Sequence, residues 1–325
     1  MKQVSLALEA SAFYMRKEGE KDLHLFYPQS LIVHPEPKTL PCRPSMASSS
    51  LVRIAVVGDV HDDWDLEEDT KALQFLKPDL VLFTGDFGNE NVELVQTVSA
   101  LNFPKAVILG NHDSWITQQF SSKEKDRVQL QLECLGQEHQ IFRKRLLSAR
   151  YGIQDIAQRI HEATLGTPED HLVILLAHNG PTGLGSELND ICGKDWVLEG
   201  GDNGDPDLAQ AISHLKETTT VSIPLVVFGH MHKELAYGNG LRKMIVAGTD
   251  DIIYLNGAIV TGVRPANETL LQSSNSDGTN RAFTLVEISN AQVDKISERW
   301  VSVIGNETTS VEERILFKSD VQSSL

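Results

Sequence analysis

Eight residues placed where apolar runs stop carry the chemistry that this sequence offers. They are Asp59 and His61 in VRIAVVGDVH, Asp86 in DLVLFTGD, Asn111 and His112 in KAVILGNHD, His178 in HLVILLAHNG, and His230 and His232 in IPLVVFGHMH. Imidazole and carboxylate donors both suit divalent transition metals. Alternation along an extended backbone puts Asp59 and His61 on one side, and His230 and His232 repeat that spacing. A blander reading competes at each motif taken singly. Asp bonds to nearby backbone and Gly tolerates positive φ, so both gather at ordinary turns. A single buried histidine is usually a satisfied core residue. The same grammar at five run ends favours a metal centre over five unrelated turns.

The elements that must position these residues are legible around them. The five runs are short and almost continuously apolar, which predicts strands covered on both faces in a layered α/β protein. Ligands of such sheets bind outside the carboxyl ends of the strands. Helical patterns lie between the runs. DLEEDTKALQFLKPD has acids early and stops before Pro78, with Asp65 read as its cap, and NVELVQTVSALN aligns Leu94, Val98 and Leu101. Residues 117–165, about, read as a helical insertion beside the sheet and a candidate cap over the site. That insertion contains the basic cluster FRKRLLSAR, read as a solvated helix face. KMIVAGTDDIIYLNGAIVTGV and RAFTLVEISNAQVDKISERWVSV then read as strands, the second with a turn at SNAQ. They predict a second sheet packed on the first. NETLLQSSNSDGTNR, between them, reads as a flexible loop.

Composition bounds the partners. A chain of 325 residues with 41% hydrophobic and 23% charged residues has a soluble globular make-up. No apolar run approaches the length of a bilayer span, so no membrane partner is expected. The net charge of −16 repels long nucleic acids, though not small nucleotides. Cys42, Cys134 and Cys192 have neither zinc-site nor redox spacing, and an odd count makes a poor disulfide framework. This suggests a reducing, intracellular compartment. The NET strings at Asn267 and Asn306 matter as glycosylation acceptors only on a secretory route.

Residues 1–50 include the Pro- and Ser-rich PEPKTLPCRPSMASSS and read as a disordered or targeting extension outside a domain spanning 51–325. No apolar secretory core is present in it. Glu9, Glu18, Glu20 and Asp22 count against an organelle transit peptide, and Met46 offers a second in-frame start. Plastid and cytosol both remain open as expectations.

Taken in order, GDVH, GD, GNHD, AH and GHMH resemble the calcineurin-like metallophosphoesterase superfamily, from about residue 52 to the C-terminal strands. The wording DVHDxW and GDFGNE is most similar to a subfamily found in phototrophs. The resemblance implies a four-layer αββα sandwich of two mixed sheets with a dinuclear metal site. One ion would be held by Asp59, His61, Asp86 and His232, the other by Asp86, Asn111, His178 and His230. The ions would be two divalent metals drawn from Mn, Fe, Zn and Mg. The implied reaction is hydrolysis of a phosphomonoester or phosphodiester of a small molecule through a metal-bridging hydroxide, which two ions make available near neutral pH. His112 would stabilise the transferring phosphoryl group or protonate the leaving oxygen; the alternative makes it a hydrogen-bond donor behind the ligands. A nucleotide phosphodiesterase or nuclease, and a non-catalytic interaction module on the same fold, are the rival functions.

Departures from the family narrow the expectation. Ser/Thr protein phosphatases of the superfamily carry GDYVDRG, where this chain has GDFGNEN. Asn89 thus replaces an acid expected to pair with His112, and Glu90 replaces a phosphate-binding Arg. Asn89 also stands where purple acid phosphatases need Tyr, and His61 stands where they need Gly, which counts against an iron–tyrosinate site. Asp62 occupies the usual Gly position after the first histidine. The loops NGPTGLG (residues 179–185) and EGGDNGDPD (residues 199–207) are candidates for shaping the pocket.

Overall fold

Alternate residues of each buried run go to different cores, as a strand covered on both faces requires. In β3 (Val52–Val57), Ile54 and Val56 enter one apolar cluster while Ala55 enters another. The computed structural model describes residues 11–16, 23–25, 51–115, 127–136, 160–161, 164, 171–266 and 278–319. The other strands in chain order are β1 (Ser11–Arg16), β2 (Leu23–Leu25), β4 (Leu80–Phe83), β5 (Lys105–Val107), β6 (His171–Leu176), β7 (Ser222–Phe228), β8 (Ile245–Ala247), β9 (Ile253–Asn256), β10 (Val263–Pro265), β11 (Gly278–Ser289), β12 (Gln292–Ile304) and β13 (Glu307–Lys318). The helices are α1 (Leu66–Leu76), α2 (Val92–Ala100), α3 (Arg127–Cys134) and α4 (Pro206–Thr218).

Two mixed sheets result. The first runs β13-β12-β11-β3-β4-β5, with β10 paired to β11; β3, β4 and β5 are parallel and the rest antiparallel. The second runs β2-β1-β6-β7-β9-β8, with β6, β7 and β9 parallel. The middle core holds Leu80 and Leu82 of the first sheet against Ile174, Leu225, Val227 and Leu255 of the second. On the outer face of the first sheet, Val81 and Phe83 meet Leu73 of α1, Val95 of α2 and Leu132 of α3. On the outer face of the second, Val173 and Val226 meet Leu208, Ile212 and Leu215 of α4. This is the expected four-layer αββα sandwich. Among the described residues no helix is long and apolar enough to cross a membrane.

Local signals act where the sequence places them. Asp65 sits in extended backbone and its side chain accepts from Glu68 N at 2.8 Å, capping α1. Lys77, left-handed at φ 53°, ends that helix just before Pro78. Asn290 and Ala291 take φ of 49° and 65° in the two-residue β11–β12 turn, as a tight hairpin needs.

Three expectations meet a different outcome. Part of the supposed N-terminal extension is sheet: all six residues of β1 pair antiparallel with β6, whose outer edge would otherwise lack a partner. The remainder of residues 1–50 lies outside the described residues. Of the 117–165 insertion, α3 does not cap the site; Val128 and Leu132 pack it into the outer layer of the first sheet. The basic cluster and the loop at residues 267–277 lie outside the described residues. The strands of RAFTLVEISNAQVDKISERWVSV, expected in a second sheet, instead extend the first, with β11 antiparallel to β3 and β12 antiparallel to β11.

Candidate metal centre

The carboxyl ends of β3, β4, β5, β6 and β7 all deliver their polar residues to one place. Alternation along a strand is not what aims them. The strands stop at Val57, Phe83 and Phe228, and the donors sit on tight turns just beyond. Asp59, His61, Asp86 and His230 take φ of 50°, 45°, 54° and 68°. Left-handed backbone at non-glycine residues costs about 1–3 kcal/mol each and persists only where the surroundings enforce it. Asp113 supplies much of that enforcement. Its buried carboxylate accepts from the backbone N–H groups of Asp86, Phe87 and Gly110 at 2.8, 3.0 and 2.7 Å, tying the β4 and β5 turns together. Two glycines permit the approach. A Cβ at Gly110 would lie 2.2 Å from Asp86 Oδ1, and one at Gly229 would lie 2.3 Å from Asp59 Oδ1.

Seven donors converge. Asp59, His61 and His232 form one group with ligating atoms within 4.8 Å of one another, and Asp86, His178 and His230 form a second. A third such group, His61, Asp86 and His112, joins the two. His61 Nε2 and His232 Nε2 are 3.0 Å apart, aimed at a common point. His178 Nε2 lies 2.8 Å from Asn111 Oδ1 and 3.5 Å from Asp86 Oδ1. His178 Nδ1 donates to the Thr84 carbonyl at 2.7 Å, which leaves Nε2 as its ligating atom. Asp59 Oδ1 accepts from His230 N at 3.0 Å. Its other oxygen, Oδ2, is buried with no hydrogen-bond partner and faces His232 Nε2 at 3.5 Å. A buried, unpartnered carboxylate oxygen among imidazole nitrogens fits a bound cation, because leaving it dry and unpaired is costly.

Protonation states agree with that fit. Burial, with His178 nearby, pushes His230 down to about 3, so it is a neutral donor at ordinary pH. Burial likewise lowers His61. Burial also opposes charge on His178 and His232, but Asp86 and Asp59 beside the first, and Asp59 beside the second, outweigh it and raise both. Burial would raise Asp59, yet His232 and His178 hold it down at about 2. Divalent ions would replace the protons on the raised histidines.

His112 stands at the edge of this cluster. Its ring is 4.7 Å from that of His61 and stacks on Trp115 at 4.9 Å and 14°. Nδ1 meets Asn89 Oδ1 at 2.8 Å, so Asn89 does occupy the pairing position, with an amide in place of an acid. The backbone N–H of His112 donates to Asp86 Oδ1 at 2.8 Å, which ties the residue to Asp86. Glu90 is buried, and its backbone N–H donates to the His112 carbonyl at 3.1 Å. Asp62 turns away from the ligand histidines and accepts from Asn91 Nδ2 at 2.6 Å. Asn91 in turn caps α2 by accepting from Leu94 N, so Asp62 anchors a helix start. The two candidate loops meet near His230: Asn179 Nδ2 donates to the Asn203 carbonyl, and Asn203 Nδ2 lies 3.3 Å from His230 Nε2.

A cleft of about 260 Å³ opens over the cluster, lined by Asp86, His112, His230 and His232 together with Asp195, Trp196, Glu234 and Arg242. Sequence reasoning missed this second set. Arg242 is buried and donates to the carbonyls of His232, Asp190 and Gly193 at 2.9, 2.8 and 2.7 Å, while pairing with Asp195 at 3.2 Å. No motif flags it; only a lone Arg among loop residues, far in sequence from its partners, was there to find.

The family model described as calcineurin-like phosphoesterase matches residues 52–234. No curated protein sequence matches the chain. Among solved structures, the chain is similar to a predicted phosphoesterase from Streptococcus pneumoniae TIGR4, at 13% identity and TM-score 0.33, over 82% of this chain and 100% of that one. It is also similar to a dimetal phosphatase from Danio rerio, at 11% identity and TM-score 0.40, over 82% of this chain and 99% of that one. With the family model matching residues 52–234, more than half of the chain, the chain belongs to the calcineurin-like phosphoesterase family and is a hydrolase of ester bonds.

Proposed function

We propose that the protein hydrolyses a phosphoester of a small molecule at a dinuclear metal centre. The observation that carries this reading is two donor groups, Asp59–His61–His232 and Asp86–His178–His230, linked through His61 and Asp86, with Asp59 Oδ2 buried beside His232 and without a hydrogen bond. Asp59, His61, Asp86 and His232 would hold one ion; Asp86, Asn111, His178 and His230 would hold the other. Such ions supply Lewis-acid stabilisation of phosphoryl charge and an activated water.

The chain's own residues do the rest. Thr84 and Asp113 keep the donors in place through backbone contacts. His112, whose Nδ1 donates to Asn89, would donate from Nε2 to a phosphoryl or leaving oxygen as the imidazolium, a form that burial disfavours by lowering its pKa. Position for proton transfer matters first there, and pKa second. The choice between monoester and diester, and among Mn, Fe, Zn and Mg, belongs to experiment.

A panel of metals against aryl phosphates, bis-aryl phosphodiesters and nucleotides tests the reading. Turnover that depends on added Mn²⁺ is expected. Protein that binds two ions and turns over no phosphoester would overturn it.

A further inference from the structure

Outside the metal cluster, the most unusual surface is apolar. Trp196 is 39% exposed, and its neighbours Val197 and Leu198 are also exposed, Leu198 entirely. Leu188, Tyr237 and Leu241 are exposed as well. Exposed apolar side chains scattered singly need no explanation, but one lining a cleft over candidate ligands does, and Trp196 is such a residue. These six come from only two stretches, residues 188–198 and 237–241, which the same side chain knits together. Arg242 binds the carbonyls of Asp190 and Gly193 in the first stretch. Asp195, paired to Arg242, accepts from Ala236 N at 2.6 Å beside the second. Arg242 also binds the carbonyl of His232, so the apolar rim is fixed to the metal cluster itself. Trp196, next to the pinned Asp195, lines the cleft with His112 and His232.

We propose that this rim binds the organic part of the substrate, which is a phosphoester carrying a large, apolar, preferably flat group. The inference rests on the phosphoesterase reading above and names its substrate class. Trp196 offers an indole face at a fixed place beside the reacting centre, and aromatic groups pair well with such a face. The anchoring means little ordering is needed on binding, which favours affinity. Glu234 in the same wall repels a second anionic group. A sugar phosphate or short polar phosphate would leave the rim wet.

The test uses the full chain. Isothermal titration compares 2-naphthylphosphonate, decylphosphonate and methylphosphonate, none of which can be hydrolysed at the P–C bond. Expected is naphthyl binding at least about tenfold tighter than methyl, and a ratio near one in Trp196→Ala. Leu198→Ser, at a fully exposed position, is expected to reduce the ratio less. Val311→Ser, at an exposed position on the distant β13, should keep the wild-type ratio. With Mn²⁺ present, kcat/KM for 2-naphthyl phosphate over glycerol phosphate should fall in parallel, mainly through KM. Equal affinity for naphthyl- and methylphosphonate, or an unchanged ratio in Trp196→Ala, would overturn the proposal. A preference for decyl over naphthyl would retain the apolar rim and reject the flat group. Absence of turnover with intact naphthyl selectivity would count against the phosphoesterase reading alone.

Discussion

Asp86 belongs to one donor group and lies within reach of His61 of the other. It is nearly fully buried, and one of its oxygens accepts from His112 N while lying 3.5 Å from His178. Asp86→Ala should therefore lose both ions together. Residues that merely support ligands cost about 10–100-fold in metal affinity, so a loss above 100-fold is expected by titration, with hydrolysis falling to background. Normal binding of two ions by the variant would remove Asp86 from the shared position. The histidines add a pH dependence with a definite sign. His178 and His232 are raised above the ordinary imidazole value, so protons compete with metal up to a higher pH at these two. His230 and His61 are lowered and compete little. Each ion displaces one raised histidine proton, so each metal dissociation constant should rise by up to about tenfold per pH unit as pH falls below the raised values. Titrations at pH 5.5 and 7.5 check this, and equal affinity at the two would contradict the protonation scheme.

The turns after the strands are the elements that make a site out of these residues. Each donor motif was readable because an apolar run ended abruptly in Gly, Asp, Asn or His. What was not readable is how the turns are held. Asp113 reaches two segments away and accepts three N–H bonds with one carboxylate. Asp113→Asn keeps the size but replaces one acceptor by a donor facing N–H groups. Leaving a buried donor unsatisfied costs about 1–3 kcal/mol. Chemical unfolding should show a loss of that size, and metal affinity should weaken with it. Unchanged unfolding and unchanged metal binding would mean the tie is redundant. The rim built around Arg242 was illegible for a related reason. Its partners are loop carbonyls and Asp195, and carbonyls have no residue-type signature. Asp62 shows the opposite case: it stands at the family's glycine position after the first histidine, yet its partner is Asn91 at the start of α2.

At the scale of the whole molecule, the layers and most strands followed from apolar periodicity, whereas the edges did not. β13 shows almost no buried face, since most of its residues from Glu307 to Lys318 are exposed. Without a buried face there is no alternation to read. Its placement comes from the backbone ladder to β12. β1 is the other edge case, preceding the Pro- and Ser-rich stretch and recruited by pairing to β6. Beginning the chain at Met46 removes β1 and β2 and bares the β6 edge. Such an edge invites pairing with another chain. The shortened protein should melt about 5 °C lower, since 1 kcal/mol is worth about 2–4 °C at this size, and should scatter more light on heating. Identical melting and scattering would show that the edge strand is dispensable.

The two sheets contribute unequally in time as well as in space. Asp59, Asp86 and Asn111 hang from the first sheet, and His178, His230 and His232 from the second. Asp59 and His230, joined by a hydrogen bond, are 171 positions apart. β3, which carries Asp59, is flanked on one side by β4 and on the other by β11, a strand made more than two hundred residues later. During synthesis the earliest donors emerge long before their partners, with no lattice to hold them. The centre is thus a late product of assembly: it closes only when the sheets dock, and an ion captured then fastens the start of the domain to its far half.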